Sequence, residues 1–495
     1  MKQLKTIPWF LLLLVVFFIL HGTVENFGFI YPIELLKIGT AILICVILFY
    51  VVIKLLVKNS VHAALICFFI SSWILFFGAI FEWVKSIHIL SWLHGYTIFI
   101  PFMLCTFILF ILFIRKKITF QYKLCLYLNV LLLIYCLYDA GALILKSVQP
   151  ILSAFSGNIN FDTGVVKTKP NVYLLLFDEY PGYKSLKDSF GFANDDLYQF
   201  LEKKEFKFLP AYSNYNTTFY SMASMLNMEY INMPYNALQN TMDDDQMRIK
   251  EIKNARVIQY FKSMGYSFIN YSIFNILDQP SYKSNSFVIS QAQLLTHKIF
   301  FNKVLADVGW NFIDGKYAIP YIKYIYMQED RNNKFFEKKL SEPDSPKSSM
   351  PQFTYAHFNM PHPLVFYDSA GNYLSTAQIF DPQTYYNKPV ILSYIKYTNT
   401  KIKKLVEVIC KKDTGAIVIV MSDHGYRGYN NNNSPVALVF DNICAVRFPD
   451  KNYIAFKDKW SNVNFFRYLL NSQFHQNIPY LKDSSIFLKD IPLAN

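Results

Sequence analysis

Ala416-Ile417-Val418-Ile419-Val420-Met421-Ser422-Asp423-His424-Gly425 decides how the chain is to be read. An apolar, β-branched run without a polar interruption ends abruptly in an acid, an imidazole and a glycine. Continuous apolarity fits a strand buried on both faces, as in a parallel α/β sheet. Such sheets place their sites outside the carboxyl ends of the strands. Asp and His side by side suit a borderline divalent ion such as zinc or manganese, and Gly lets the backbone turn away. Alone, the stretch reads equally well as a strand end with a solvated acid.

Three further elements end the same way. Val172-Tyr173-Leu174-Leu175-Leu176-Phe177 runs into Asp178-Glu179, a second acidic strand end. Phe353-Thr354-Tyr355-Ala356-His357-Phe358 leads to Asn359-Met360-Pro361-His362-Pro363, with His362 between prolines. Polar Ser213-Asn214-Tyr215-Asn216-Thr217-Thr218 runs into a helical pattern with Met222, Met225 and Leu226 on one face, so Thr217 or Thr218 begins a helix. That threonine reads either as an ordinary N-cap or as a nucleophile at the positive end of the helix dipole. Asp178 and Asp423 ending neighbouring parallel strands, with His424, would make a divalent-metal cage.

The rest of the chain sets the context. Of its 495 residues 53% are hydrophobic, and the excess lies near the N-terminus. Apolar segments at residues 7–22, 36–57, 61–83, 97–114 and 124–145 approach the ~20 residues that cross a bilayer. Lys2, Lys5, Lys54, Lys58, Arg115, Lys116, Lys117 and Lys123 flank them on one side, which the positive-inside rule puts in the cytoplasm. Five spans then carry everything after residue 146 outside. The first is expected to be a retained signal anchor, lacking a small-residue cleavage site. The expected domains are a five-helix membrane bundle (1–146), a linker (147–170) and an exported α/β domain (171–495). Stretches 341–350 and 430–433 read as polar surface loops. The loop at residues 82–95, with Trp83 and Trp92, suits a membrane interface. Asp139, the one acid well inside a span, is expected to pair between helices or to lie near the outer interface.

The net charge of +13 divides unevenly: residues 1–170 carry 13 Lys+Arg against 5 Asp+Glu, and residues 171–495 carry 35 against 30. No dense basic cluster indicates a nucleic-acid partner. Five of seven cysteines lie in the spans, leaving Cys410 and Cys444 exported and able to pair. No CxxC pattern is present, so any metal is held by Asp, His and hydroxyl groups.

Together these elements resemble the alkaline phosphatase superfamily, and within it the membrane-anchored sulfatase-like transferases: lipoteichoic acid synthases and phosphoethanolamine transferases. The resemblance implies an α/β domain whose mostly parallel sheet is sandwiched by helices, with one or two divalent ions (Zn or Mn). By position it implies metal ligation by Asp178, Thr218, Asp423 and His424, and Thr218 as nucleophile within Thr218-x-x-Ser221-x-x-x-Met225. It implies His362 acting at substrate, with His357, Glu179 and Arg427 as substrate contacts. The run Ser461-Asn462-Val463-Asn464-Phe465-Phe466-Arg467-Tyr468 is similar to one in surface-polysaccharide members. The implied reaction moves a phosphoglycerol or phosphoethanolamine headgroup from a phospholipid to a cell-surface glycan or lipid, at the bacterial inner membrane, through a phospho-threonine. Two departures stand out. The CxPxR motif of sulfatases is absent, and Tyr426-Arg427 follows Gly425 where phosphoethanolamine transferases usually have Glu. The alternatives are an extracytoplasmic phosphate or sulfate ester hydrolase and a non-catalytic scaffold of polysaccharide assembly.

Overall fold

The computed structural model describes residues 6–27, 30, 32–148, 159–162, 168–232, 239–240, 242–281, 291–342, 350–428 and 436–490. Most of the expected linker, residues 149–158 and 163–167, lies outside these, as do 343–349 and 430–433 of the expected loops. The chain forms two compact units: Met1–Ile151 with Ile289–Ile322, and Leu152–Val288 with Lys323–Asn495.

The first unit holds five apolar helices: α1 (Phe10–Glu25), α2 (Pro32–Leu56), α3 (Ser60–Ser86), α4 (Tyr96–Arg115) and α5 (Ile118–Val148). Four of them, α2 to α5, are long and apolar enough to cross a membrane; α1, at 16 residues, is shorter. The expected count of five spans is therefore one high by length, although all five apolar helices form. Polar residues join α1 to α5: Asn129 Oδ1 accepts the Phe10 N–H at 2.6 Å, and His21 Nδ1 lies 3.3 Å from Asp139 Oδ2. Asp139 thus pairs between helices, as expected.

This unit also contains a segment the sequence assigned to the exported domain. Helices α7 (Gln291–Thr296) and α8 (Phe300–Val308) pack on α1, α2 and α3. The fit uses two glycines. A Cβ on Gly22 would lie 2.4 Å from Leu295 Cδ2, and one on Gly78 would lie 2.9 Å from the Lys298 backbone. Helix α3 leaves helical geometry at Phe76, and the Gly78 N–H donates to Lys298 O at 2.7 Å. Phe300 rests 5.0 Å from Trp73 and 4.9 Å from Phe77 between ring centroids.

The second unit is built on a six-stranded sheet. Its strands are β1 (Val172–Phe177), β2 (Lys207–Phe208), β3 (Ser267–Tyr271), β4 (Gln352–Phe358), β5 (Ile417–Met421) and β6 (Cys444–Arg447), in the order β2-β6-β5-β1-β4-β3. The three pairings among β5, β1, β4 and β3 are parallel, while β6 and β2 pair antiparallel. Every residue of β1 and β5 is buried, which explains their unbroken apolarity. On one face Leu174, Leu176, Tyr355, Ile419 and Met421 pack with Met222, Met225, Leu226, Phe466 and Leu470. Helix α9 (Lys388–Lys412) packs on β5 and buries Ile395, Ile402, Leu405 and Ile409. Residues 436–440, a run apolar enough for a strand, form a 3₁₀ turn instead; the antiparallel strand follows it at Cys444. Cys410 and Cys444 are free thiols.

One side chain clamps the start of the parallel core. Asn171 precedes β1; its Oδ1 accepts the Gln352 N–H at 2.7 Å and its Nδ2 donates to Asp413 Oδ2 at 2.7 Å. Its carbonyl accepts the Ile417 N–H at 2.8 Å. Asn171 therefore ties β1 to both neighbours before the register begins. Asn171→Leu should lower unfolding stability by about 1–3 kcal/mol, because the partners lose both bonds. Denaturant titration of the purified protein measures it; an unchanged midpoint would show that the clamp is dispensable.

Candidate active site

The parallel register brings the expected ligands together. Leu176 stands opposite Met421 on one side and His357 on the other. Side chains alternate along a strand, so Asp178, two beyond Leu176, and Asp423, two beyond Met421, continue the same face side by side. His357 lies on that face one step below. Its Nε2 is 3.2 Å from Asp178 Oδ2, and its Nδ1 is 2.8 Å from the Tyr355 hydroxyl.

Helix α6 (Thr218–Asn227) supplies the hydroxyl. Its buried Met222, Met225 and Leu226 lock it to the sheet face, with Thr217 as N-cap and Thr218 as the first helical residue. The Thr218 hydroxyl donates toward Asp178 Oδ1 at 3.4 Å and lies 3.3 Å from His424 Nε2. Thr217 makes no capping bond; its hydroxyl is buried without a partner.

His424 is oriented by the backbone. Its Nδ1 lies 2.8 Å from the Gly425 carbonyl, which can only accept, so Nδ1 carries the hydrogen. Nε2 is left with its lone pair, aimed into the cluster. Gly425 is required by close approach rather than by φ: a Cβ there would lie 2.5 Å from Asp441 O and 2.8 Å from Leu438 O.

Asp178, Asp423 and His424 are fully buried, with ligand atoms all within 4.8 Å of one another. Among the described residues this is the one group of its kind. Two buried carboxylates so close cannot share the negative charge equally. Burial and the charge of Asp423 raise the pKa of Asp178 above the usual carboxylate range. Burial opposes the charge of Asp423 too, but His424, His357, the Glu179 N–H and Thr218 outweigh it and hold Asp423 low. Burial pushes His357 down to about 4, so its contact with Asp178 is a hydrogen bond from a neutral imidazole. Asp423 Oδ2 is buried without a hydrogen-bond partner. An orphaned carboxylate oxygen facing a carboxylate, an imidazole nitrogen and a hydroxyl is what a divalent cation would satisfy. The donor set fits zinc or manganese.

Four supports of this arrangement were not recognised in the sequence. Ser422 Oγ accepts the Tyr180 N–H at 2.9 Å and donates to His424 O at 2.7 Å. Asn442 donates to Ser422 O at 2.8 Å, and Asn462 to Asp423 O at 3.3 Å. Asn214 Oδ1 accepts the Val463 N–H at 2.6 Å, joining the segment before α6 to the run at 461–468. That run carries one of the hydrogen bonds that fix the Asp423 turn.

The expected substrate contacts are arranged differently from one another. Glu179 adopts φ 62°, and this left-handed turn lets its N–H donate to Asp423 Oδ1 at 3.1 Å. Such a conformation costs about 1–2 kcal/mol for a residue with a Cβ. Its carboxylate accepts the Arg427 N–H at 2.6 Å and the Tyr385 hydroxyl, with Arg427 Nε 3.5 Å away. Glu179 and Arg427 thus face each other. His357 is wholly buried behind Asp178, a positioning residue rather than one in a cleft. His362 is nearly buried, its Nδ1 2.5 Å from Pro363 O. Tyr426 points into packing against Phe190 and Tyr385.

No family model and no curated protein matches the chain. Solved structures similar to it include the periplasmic domain of EcEptC from Escherichia coli in complex with Zn (9% identity, 64% of this chain and 86% of that chain, TM-score 0.38). A phosphonate monoester hydrolase from Silicibacter pomeroyi is similar at 12% identity over 64% of this chain and 75% of that chain, TM-score 0.39. A protein in the alkaline phosphatase superfamily from Vibrio parahaemolyticus is similar at 14% identity over 63% and 67%, TM-score 0.33.

Removing His357 separates its positioning role from ligation. His357→Ala should weaken zinc binding about 10- to 100-fold, the usual effect of losing a group that orients a ligand, whereas Asp423→Ala should abolish it. Chelator-competition titration reads both; an unchanged affinity in His357→Ala would contradict the positioning role.

Proposed function

We propose that this chain is a membrane-anchored phosphotransferase acting outside the cytoplasmic membrane. It moves a phospholipid-derived phospho-headgroup, phosphoglycerol or phosphoethanolamine, to a hydroxyl of a surface glycan or lipid. The observation that carries the reading is the Thr218 hydroxyl at the start of α6, within 3.4 Å of Asp178 and 3.3 Å of His424. A hydroxyl aimed at buried acidic and imidazole groups is the arrangement of an activated nucleophile. The basic residues flanking one side of the apolar helices support a cytoplasmic N-terminus and an exported second unit.

Asp178, Asp423, His424 and Thr218 would hold a divalent ion, zinc or manganese. Bound there, it would supply Lewis acidity and lower the pKa of the hydroxyl. Thr218 Oγ1 forms a bond to the donor's phosphorus while the bond from phosphorus to the diacylglycerol oxygen breaks. The hydroxyl proton is directed at Asp178 Oδ1, whose basicity burial raises. His357 keeps that carboxylate oriented. Developing charge on the phosphoryl oxygens lies near the first N–H groups of α6, which have no partner within the helix. His362 gives a proton to the departing diacylglycerol oxygen, and Arg427 contacts the phosphate. In the second half an acceptor hydroxyl attacks phosphorus and gives its proton to His362, while Asp178 returns the first proton to Thr218 Oγ1 as the bond from phosphorus to that oxygen breaks.

Incubating the full-length protein with phospholipid labelled in the headgroup, with and without glycan acceptor, tests this. The expected result is a labelled Thr218 by peptide mass spectrometry, discharged by acceptor, and transfer lowered about 10³-fold or more in Thr218→Ala assayed at saturating metal. Transfer surviving in Thr218→Ala would refute the mechanism. Label released at one rate with or without acceptor would instead indicate hydrolysis. Neither metal nor label would indicate a scaffold.

A further inference from the structure

The segment Ile289–Ile322 leaves the sheet-containing part of the chain, packs with the membrane helices and returns. Its inner side is built into that unit. Leu295 and Lys298 fill the slots at Gly22 and Gly78, and Gly78 lies eight residues before the end of α3 at Ser86, roughly 12 Å along the axis. Lys298 and Lys303 lie 3.6 and 3.9 Å from Glu82, Lys303 is 3.1 Å from Asp307, and the Tyr96 hydroxyl bonds Asp307. Phe300 and Val304 join Leu90, Leu93, Phe77 and Phe81 in one cluster. These contacts lie at the Ser86–Tyr96 end of the bundle, the end that carries the interfacial loop.

The other side has a composition that water does not favour. From Trp310 to Tyr321 every residue except Ile313 is exposed, and the exposed ones include Trp310 (51%), Tyr317 (70%), Ile319 (43%) and Tyr321 (69%). Phe301 on α8 is exposed at 67%. The loop is nevertheless ordered: Ile313 is buried beneath it and the Ile319 N–H donates to Phe312 O at 2.8 Å. The neighbouring turn, residues 88–93, likewise exposes Ile89 (88%) and Trp92 (53%) while its Leu90 and Leu93 pack with Phe300. Exposed aromatics on an ordered frame mark a surface meant to be covered. Trp and Tyr are the residues that settle at the headgroup level of a bilayer.

We propose that Phe301 and the Trp310–Tyr321 loop, with Ile89 and Trp92, form a platform immersed in the interfacial layer of the outer leaflet. The occupant is lipid because Trp92 packs against Phe102, an exposed residue of α4, so the platform runs into the exposed apolar side chains of a helix long and apolar enough to cross a bilayer. The segment's lysines, Lys298, Lys303 and Lys316, are nearly balanced by Asp307 and Asp314, so zwitterionic headgroups suffice. The exported chain is then pinned to the membrane by a second insertion besides its N-terminal helices. This assignment does not depend on the reaction proposed above.

The full-length protein and its Trp310→Phe variant, reconstituted in phosphatidylcholine nanodiscs, test it by difference fluorescence. Lipids brominated close to the headgroup should quench the Trp310 component at least twofold, more strongly than lipids brominated near the chain end. Aqueous acrylamide should quench it at least threefold less in nanodiscs than in a soluble indole standard. Tyr317→Asp with Tyr321→Asp, distant from the glycine slots, should lower the lipid quenching with circular dichroism unchanged. Full acrylamide access with no bromolipid quenching would overturn the proposal. So would shielding from acrylamide without bromolipid quenching, which would mean that protein covers the face.

Discussion

The parallel register of β1 with its two neighbours is the constraint on which the site rests. A shift of one residue would turn Asp178 or Asp423 to the opposite face of the sheet, since side chains alternate with a period of two. The register is held at its start by Asn171 and along its length by burial of every residue of β1 and β5. Neither influence touches the acids directly. They act by making any other pairing expose or misplace a row of large apolar side chains. Two carboxylates can be kept adjacent in a buried site only by something that costs more to break than their repulsion, and the strand core is that something.

Beyond the strands, the turns do finer work. The left-handed conformation of Glu179 directs one N–H at Asp423 and leaves its carboxylate to hold the Arg427 segment. Gly425 lets the chain pass against the carbonyls of Leu438 and Asp441. Ser422, Asn442 and Asn462 then anchor the backbone of the same turn. Rigid support of this kind matters for a metal site, because ligand orientation sets affinity and basicity. The packing of α6 through Met222, Met225 and Leu226 brings the Thr218 hydroxyl in from a different part of the chain.

Much of this was legible before the fold was known. Strand ends announced themselves because a doubly buried strand must be apolar throughout and its first polar residue marks where it emerges. The helix start was legible to within Thr217 and Thr218, because the apolar period of the following helix locates it; only the family resemblance chose Thr218. Other features were hidden for physical reasons. Residues 436–440 are apolar enough for a strand, yet a short apolar run has no period that separates a strand from a buried turn. Ser422, Asn442 and Asn462 are ordinary loop residues until their backbone partners are known: Asn442 and Asn462 reach back 20 and 39 positions, and Ser422 meets Tyr180 from 242 positions away. The segment at 289–322 was assigned with its sequence neighbours, because its place depends on the shape of Gly22 and Gly78, which no local pattern conveys.

The central claim is that Asp178, Asp423, His424 and Thr218 converge on one cation. A crystal structure of the zinc-loaded protein, with data collected on both sides of the zinc absorption edge, tests it most directly. Zinc held by these groups gives an anomalous peak about 2.0–2.2 Å from a carboxylate oxygen of Asp178, one of Asp423 and Nε2 of His424, next to Thr218 Oγ1. A fully occupied zinc ion held elsewhere, with those three side chains unligated, would contradict it.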